Sequence, residues 1–117
     1  MRKFFYTVIF IFSFTCNLFA KGDAEHGKSI SSTCVACHSA DGNSIIPSYP
    51  KIAGQYENYL LKELLLYKGR ATDRASANAQ IMYTQVADFS VTDLEDLAAY
   101  YSSQKMSNGT TEQKVID

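Results

Sequence analysis

The hydrophobic pattern begins with an apolar stretch at the N-terminus. Residues 4–19 read FFYTVIFIFSFTCNLF and contain no charge, and they follow the basic pair Arg2 and Lys3. A basic start, an apolar stretch and a small residue before polar sequence are typical of a secretory signal peptide. The stretch is shorter than the roughly 20 apolar residues that span a bilayer. We interpret residues 1–20 as a signal peptide cleaved after Ala20, with a retained N-terminal membrane anchor as the alternative.

Two amphipathic helices are predicted further along, where apolar residues recur at i, i+3 or i+4. The first covers residues 55–70 and reaches a C-terminal stop at Gly69. The second covers residues 90–104, with Ser90 as the N-cap and Asp93 three positions later, as in a capping box. The apolar stripe of the first is Tyr56, Tyr59, Leu60, Leu64 and Tyr67, and that of the second is Leu94, Leu97, Ala98 and Tyr101.

A third helix is predicted before these two, and loops connect the three. It begins at the N-cap Asp23 and contains Gly27, which costs up to about 1 kcal/mol relative to alanine. Either another element packs closely on Gly27, or the cost is simply tolerated. Residues 39–54 contain two prolines and an Asp-Gly pair and form a loop, whereas residues 71–89 are polar, weakly patterned and predicted as a loop or short helix.

Composition and charge narrow the classes of function. The 117 residues suit one small domain. Removal of residues 1–20 leaves nine basic residues against twelve acidic ones, a formal charge of −3. Because nucleic-acid binding requires a basic surface, this charge argues against a nucleic-acid partner. Cys34 and Cys37 are then the only cysteines, and an even pair in an exported protein indicates a covalent bond of some kind.

Three chemistries compete for the motif Cys34-Val-Ala-Cys37-His38. A disulfide of the thiol oxidoreductase type normally lies in a βαβ setting, and no convincing strand surrounds this motif. A zinc site would need His26 as its fourth ligand, and the spacing matches no common zinc pattern. The motif Cys-x-x-Cys-His is the attachment site of c-type haem, in which the sulfurs bond to the porphyrin and the imidazole ligates iron. These comparisons favour one covalently attached haem c.

Met82 is the candidate for the second axial ligand of the haem iron. A methionine normally fills a gap in a core, and that interpretation stays open for Met82. However, Met1 leaves with the signal peptide, and Met106 follows the last helix where the chain becomes polar. Iron that transfers electrons without binding small molecules needs a sixth ligand, so we expect His38 and Met82 to ligate it.

Three segments together resemble the single-domain bacterial class I cytochromes c, especially the periplasmic type whose domain is doubled in two-haem relatives. They are GKSISSTCVACH, YPKIAGQYENYLLKELLLYKGR and IMYTQVADFSVTDLEDLAAYYSSQK. The resemblance implies an all-α class I cytochrome c fold, with three main helices and loops wrapped around one haem. It implies a cytochrome c domain over residues 21–106 and a flexible tail over residues 107–117.

The resemblance also implies specific contacts. The Pro50 carbonyl should orient His38, and the first and last helices should cross near Gly27 and either Tyr100 or Tyr101. One departure is that the family often has an aromatic residue four positions beyond the glycine, where this chain has a serine. The packing partners at the crossing are therefore open.

The implied function is electron transfer, with Cys34, Cys37, His38 and Met82 binding the haem. We expect a periplasmic electron carrier that acts between respiratory redox proteins, is a monomer, is not inserted in the membrane after signal cleavage and is not an enzyme. The alternatives are a haem subunit of a larger oxidoreductase, or a haem-based ligand sensor if Met82 does not ligate the iron.

Overall fold

The structure is a computed structural model that describes residues 21–69 and 77–107. Within those residues it contains five helices and no strand, which confirms the predicted all-α fold. The predicted signal peptide and residues 108–117 of the predicted tail lie outside the described residues, as does Arg70. The helices are α1 (Ala24–Ile30), α2 (Ser32–His38), α3 (Glu57–Gly69), α4 (Ala77–Val86) and α5 (Val91–Ser103).

The first predicted helix is divided into α1 and α2 at Ser31. Asp23 caps α1 as predicted, because its carboxylate accepts the backbone N–H groups of Glu25 and His26 at 3.0 and 3.1 Å. The hydroxyl of Ser31 donates to the carbonyl oxygen of Lys28 at 2.8 Å. A serine side chain that bonds to the backbone in this way offers the chain an alternative to continuing the helix.

Helix α5 supplies most of the buried core. Its predicted stripe is confirmed, because Leu94, Leu97, Ala98 and Tyr101 are each at most 3% exposed. The predicted capping box is also present: the Asp93 backbone N–H donates to Ser90 Oγ at 3.1 Å, and the Ser90 N–H donates to Asp93 Oδ2 at 2.8 Å. Burial of this apolar stripe provides the main favourable free energy for packing the other helices around α5.

Helix α1 crosses α5 at Gly27. A β-carbon at Gly27 would overlap with the carbonyl oxygen of Asp96, so the two backbones touch. The contact explains the glycine, but the expected crossing point at Tyr100 or Tyr101 is wrong, since the nearest atoms belong to Asp96 and Leu97. Tyr100 lies further along α5, where its hydroxyl donates to the loop after α2.

Helix α3 packs on α5 with only part of its predicted stripe. Leu60 is 8% exposed, and Leu64 and Tyr67 pack against the core. The two tyrosines at the start of the predicted stripe, Tyr56 and Tyr59, are 83% and 51% exposed. Gly69, the predicted stop, is the last residue of α3, and the residues that follow it lie outside the described ones. Among the described residues, no helix has the length and apolar character needed to cross a membrane.

Candidate functional site

An apolar cavity of about 360 Å³ lies among α2, α3, α4, α5 and the loop between α2 and α3. The structure places all four predicted haem-binding residues, Cys34, Cys37, His38 and Met82, in its lining. The apolar part of the lining includes Ile52, Leu60, Leu64, Tyr67, Val86, Leu97, Ala98 and Tyr101. Cavities with mostly apolar walls and a few polar groups are the usual form of cofactor sites.

His38 is the last residue of α2 and is 7% exposed. Its Nδ1 atom lies 2.9 Å from the carbonyl oxygen of Pro50, which confirms the predicted contact. A carbonyl can only accept, so Nδ1 carries the proton and Nε2 keeps its lone pair. The ring of Tyr49 lies beside the imidazole, with the centroids 6.5 Å apart. The imidazole is thus fixed in the tautomer and orientation of a metal ligand.

Cys34 and Cys37 lie three positions apart on α2, and both side chains are half-buried. Burial is the main cause that raises the pKa of the Cys34 thiol above its ordinary value. Reactive cysteines of thiol oxidoreductases have lowered pKa values, because the thiolate is the nucleophile.

Met82 lies in the middle of α4, within the segment for which the sequence left a loop or a short helix open. It shares the cavity-facing side of α4 with residues at helical spacing, namely Asn78, Ile81, Gln85 and Val86. Met106 is 45% exposed and is not part of the cavity lining. Met1 lies outside the described residues.

His26, the fourth ligand in the zinc alternative, is not in the cavity lining. Its Nδ1 atom lies 2.7 Å from Oδ2 of Asp96, at the crossing of α1 and α5. The structure therefore does not bring His26 together with the cysteines. In the ranges 21–69 and 77–107, no cluster of three or more His, Cys, Asp or Glu side chains could hold a metal ion.

Two aromatic residues of the site were not identified from the sequence. Tyr101 was assigned only to the core, but it also lines the cavity, where its buried hydroxyl lies near the side chains of Ser31 and Cys34 without a hydrogen bond of good geometry to any described residue. Burial is the main cause that raises the pKa of Tyr101. Tyr49, beside His38, was noted only as part of a loop. The sequence did contain a signal for Tyr101, namely a tyrosine within an apolar stripe. A buried tyrosine hydroxyl usually needs a polar neighbour, so such a position can mark a site.

These features together fit a haem. The apolar walls suit the faces of a porphyrin, and two thiols one helical turn apart suit attachment along one of its edges. An imidazole with a free Nε2 and a thioether are the two donors that give His/Met coordination in cytochromes c.

Comparisons with known proteins agree with this fit. The sequence model of the family described as cytochrome c matches residues 24–105. The chain is 42% identical over 113 residues to a cytochrome c4 of Stutzerimonas stutzeri, covering 93% of this chain and 54% of that one. It is 36% identical over 121 residues to a cytochrome c4 of Azotobacter vinelandii, covering 100% of this chain and 58% of the relative. The chain thus spans little more than half the length of these relatives.

Two further matches are a short cytochrome and a crystal structure. The cytochrome c-554(548) of Halomonas halodenitrificans is 42% identical over 84 residues, covering 72% of this chain and 99% of that protein. The crystal structure of reduced recombinant cytochrome c4 from Pseudomonas stutzeri superposes with a TM-score of 0.65 at 44% identity. That match covers 74% of this chain and 47% of the other. The chain therefore belongs to the cytochrome c family with the class I fold, and its cofactor is haem c, which the family binds covalently through a cysteine pair.

Proposed function

We propose that this protein carries electrons in the periplasm through one haem c attached to Cys34 and Cys37, with His38 and Met82 as the axial ligands. The observation that supports this most directly is that the four side chains line one apolar cavity. The first three are neighbours in sequence, whereas Met82 reaches the cavity from α4. Their convergence is therefore a property of the fold and not only of the motif.

The residues around the proposed site orient the ligands and exclude water. The Pro50 carbonyl keeps the proton of His38 on Nδ1 and directs the other nitrogen away from the loop. Leu97 and Ala98, each 1% exposed, form part of an apolar wall that lowers the dielectric constant of the site. The haem supplies the chemistry, a one-electron change at iron.

Occupation of both axial positions by the protein is what distinguishes a carrier from an enzyme. If His38 and Met82 both ligate the iron, no position is left at the metal for a substrate or a diatomic gas. Thioether ligation also stabilises the reduced state and raises the potential relative to harder ligands. We therefore propose electron exchange with redox proteins as the function, and not catalysis by this chain alone.

The cellular setting is proposed from the sequence. The basic and apolar residues at 1–20 direct export, residues 21–106 form the haem domain, and residues 107–117 form the C-terminal tail, whose first residue, Ser107, bonds to Asn43. The partners are respiratory redox proteins that meet a monomer with a formal charge of −3 once the signal peptide is removed, when nine basic residues face twelve acidic ones. The activities of the longer cytochrome c4 relatives are not carried over, because this chain covers little more than half of them.

The test is to express the full chain in a bacterium that attaches c-type haem and to purify the secreted protein. We expect a pyridine haemochrome spectrum of thioether-linked haem and a mass increase of one haem. A Cys34→Ser, Cys37→Ser double variant is the control and should be colourless. Wild-type protein with the mass of its bare polypeptide would contradict the proposal, and stable co-purification with a catalytic subunit would favour a fixed subunit over a shuttle.

A further inference from the structure

We propose that Asn43 is a positioning residue for the haem ligand His38, because its side-chain amide ties the chain after α5 to the loop that carries Pro50. The proposal rests on the proposed role of His38 as an axial ligand. It assigns a task in electron transfer to a residue that does not line the cavity.

The amide of Asn43 is buried and uses all of its hydrogen-bonding capacity. Asn43 is only 8% exposed. Its Nδ2 atom donates to Oδ2 of Asp41 at 2.8 Å and to the carbonyl oxygen of Lys105 at 3.0 Å. Its Oδ1 atom accepts the backbone N–H of Ser107 at 2.7 Å and the hydroxyl of the same residue at 3.1 Å. Such a saturated amide holds its neighbours in one arrangement.

Hydrogen bonds of the residues next to Asn43 reach the segment that follows Pro50. The carbonyl of Gly42, next to Asn43, accepts the backbone N–H groups of residues 52 and 53 at 2.9 and 3.2 Å. Lys51, which follows Pro50, donates from Nζ to the carbonyl oxygen of Ser107 at 3.1 Å. The start of the loop at Gly42 and Asn43 is thus bonded to its end at residues 51–53 and to the chain after α5. Pro50 lies in the loop between these bonded ends.

The Pro50 carbonyl acts on the electronic properties of His38. A hydrogen bond accepted from Nδ1 increases the basicity of the imidazole, which stabilises the oxidised metal more than the reduced one. If the Asn43 side chain is removed, the loop loses the amide bonds to Lys105 and Ser107 and keeps only the exposed Lys51 side chain as a link to Ser107, so the Pro50 carbonyl is held less firmly on Nδ1. The imidazole then donates less charge, so the equilibrium shifts towards the reduced state and the midpoint potential rises.

The experiment uses the haem-loaded full chain and compares Asn43→Ala with Ser90→Ala. The second variant removes the N-cap of α5, so it lowers stability without touching the loop or the cavity lining. Spectroelectrochemical titration should show the Asn43→Ala equilibrium shifted roughly three- to tenfold towards the reduced form, where tenfold corresponds to about 59 mV for one electron. Ser90→Ala should keep the wild-type potential. The NMR signal of the His38 Nδ1 proton should shift, and its exchange with solvent should be faster, in Asn43→Ala alone.

A milder variant covers the case in which Asn43→Ala does not fold. Ser107→Pro removes the backbone N–H and the hydroxyl that Asn43 Oδ1 accepts, at an exposed position close to the end of the described chain, and leaves the bonds of Asn43 to Asp41 and Lys105 in place. We expect a smaller potential change in the same direction. Wild-type potential and wild-type Nδ1 proton exchange in the Ser107→Pro and Asn43→Ala proteins that fold would overturn the proposal. A wild-type protein that lacks haem would instead contradict the proposed function, so the two failures are distinguishable.

Discussion

Gly27 of α1 packs directly against the backbone carbonyl of Asp96 in α5, and a β-carbon at the glycine would overlap with that oxygen. The Asp96 side chain completes the same contact. Its Oδ1 atom accepts the backbone N–H of Asp23 at 2.7 Å, and its Oδ2 atom lies 2.7 Å from Nδ1 of His26. The backbone carbonyl and the carboxylate of Asp96 therefore both contact α1 or its N-cap. These contacts align the helix that leads into the haem-binding motif.

A Gly27→Ala substitution tests this contact. Because the opposing atoms belong to the backbone of α5, they cannot move aside as a side chain can, and we expect a loss of about 3 kcal/mol or more in the free energy of unfolding. Guanidinium unfolding of the haem-loaded protein measures it. Gly69→Ala is the control, since nothing lies within 4 Å of its β-carbon position, and it should be neutral or stabilising by up to about 1 kcal/mol. Equal effects of the two substitutions would contradict the packing argument.

A Met82→Leu substitution tests the proposed axial ligand. Leucine has similar volume and preserves the apolar wall, but it lacks the sulfur. We expect loss of the weak absorption band near the red edge of the oxidised spectrum, a lower midpoint potential and new binding of added imidazole. Met106→Leu, at an exposed methionine outside the cavity lining, should change none of these.

The opposite result would have a clear meaning. If wild-type protein lacks the band at neutral pH, no methionine sulfur ligates the iron, and the ligand-sensor interpretation would replace the carrier. If Met82→Leu retains the band, a different methionine is the axial ligand and the assignment of Met82 is wrong.

Asp41 makes the free energy of unfolding depend on pH in the acidic range. Hydrogen bonds from Asn43, its side chain first and its backbone second, hold the pKa of the exposed Asp41 carboxyl below its usual range, with a smaller contribution from Lys51. A lowered folded-state pKa means that the contribution to stability is present above the unfolded pKa of about 3.9 and is lost as the pH falls through the folded value. We expect the stability difference between wild type and Asp41→Asn to be constant near pH 7 and to change only below about pH 4. Urea unfolding at a series of pH values measures it, and a difference that changes mainly between pH 5 and pH 7 would contradict the assignment.

Tyr100 links α5 to the loop after α2. Its hydroxyl donates to the carbonyl oxygen of Ala40 at 2.7 Å in a residue that is 7% exposed. Tyr100→Phe should therefore lower the free energy of unfolding by about 1 kcal/mol, because the carbonyl loses its donor while the ring packing is kept. Tyr56→Phe, at a residue 83% exposed, is the matched control and should change stability very little. A neutral result for Tyr100→Phe would show that water replaces the lost hydroxyl.

The local features of the fold were predictable because their causes lie within a few residues. The N-cap Asp23, the Ser90–Asp93 capping box and the stripe of α5 each depend on neighbours three or four positions apart. The division at Ser31 was missed, because the periodicity continues through it and only the hydroxyl contact to Lys28 marks the break. The exposure of Tyr56 and Tyr59 could not be predicted, because periodicity describes the spacing on α3 and not which face the rest of the chain covers.

The haem attachment motif could be identified from the spacing of Cys34, Cys37 and His38 alone, because two thiols and an imidazole at this spacing lie within about one turn of a helix. Which distant groups meet that motif depends on the packing of the whole chain. Met82 lines the cavity from α4. Asn43 bonds to Lys105 and Ser107, which lie 62 and 64 positions further along the chain. Such contacts depend on how helices pack and where loops close, and these are set by the burial of the whole core and not by the residues next to each partner.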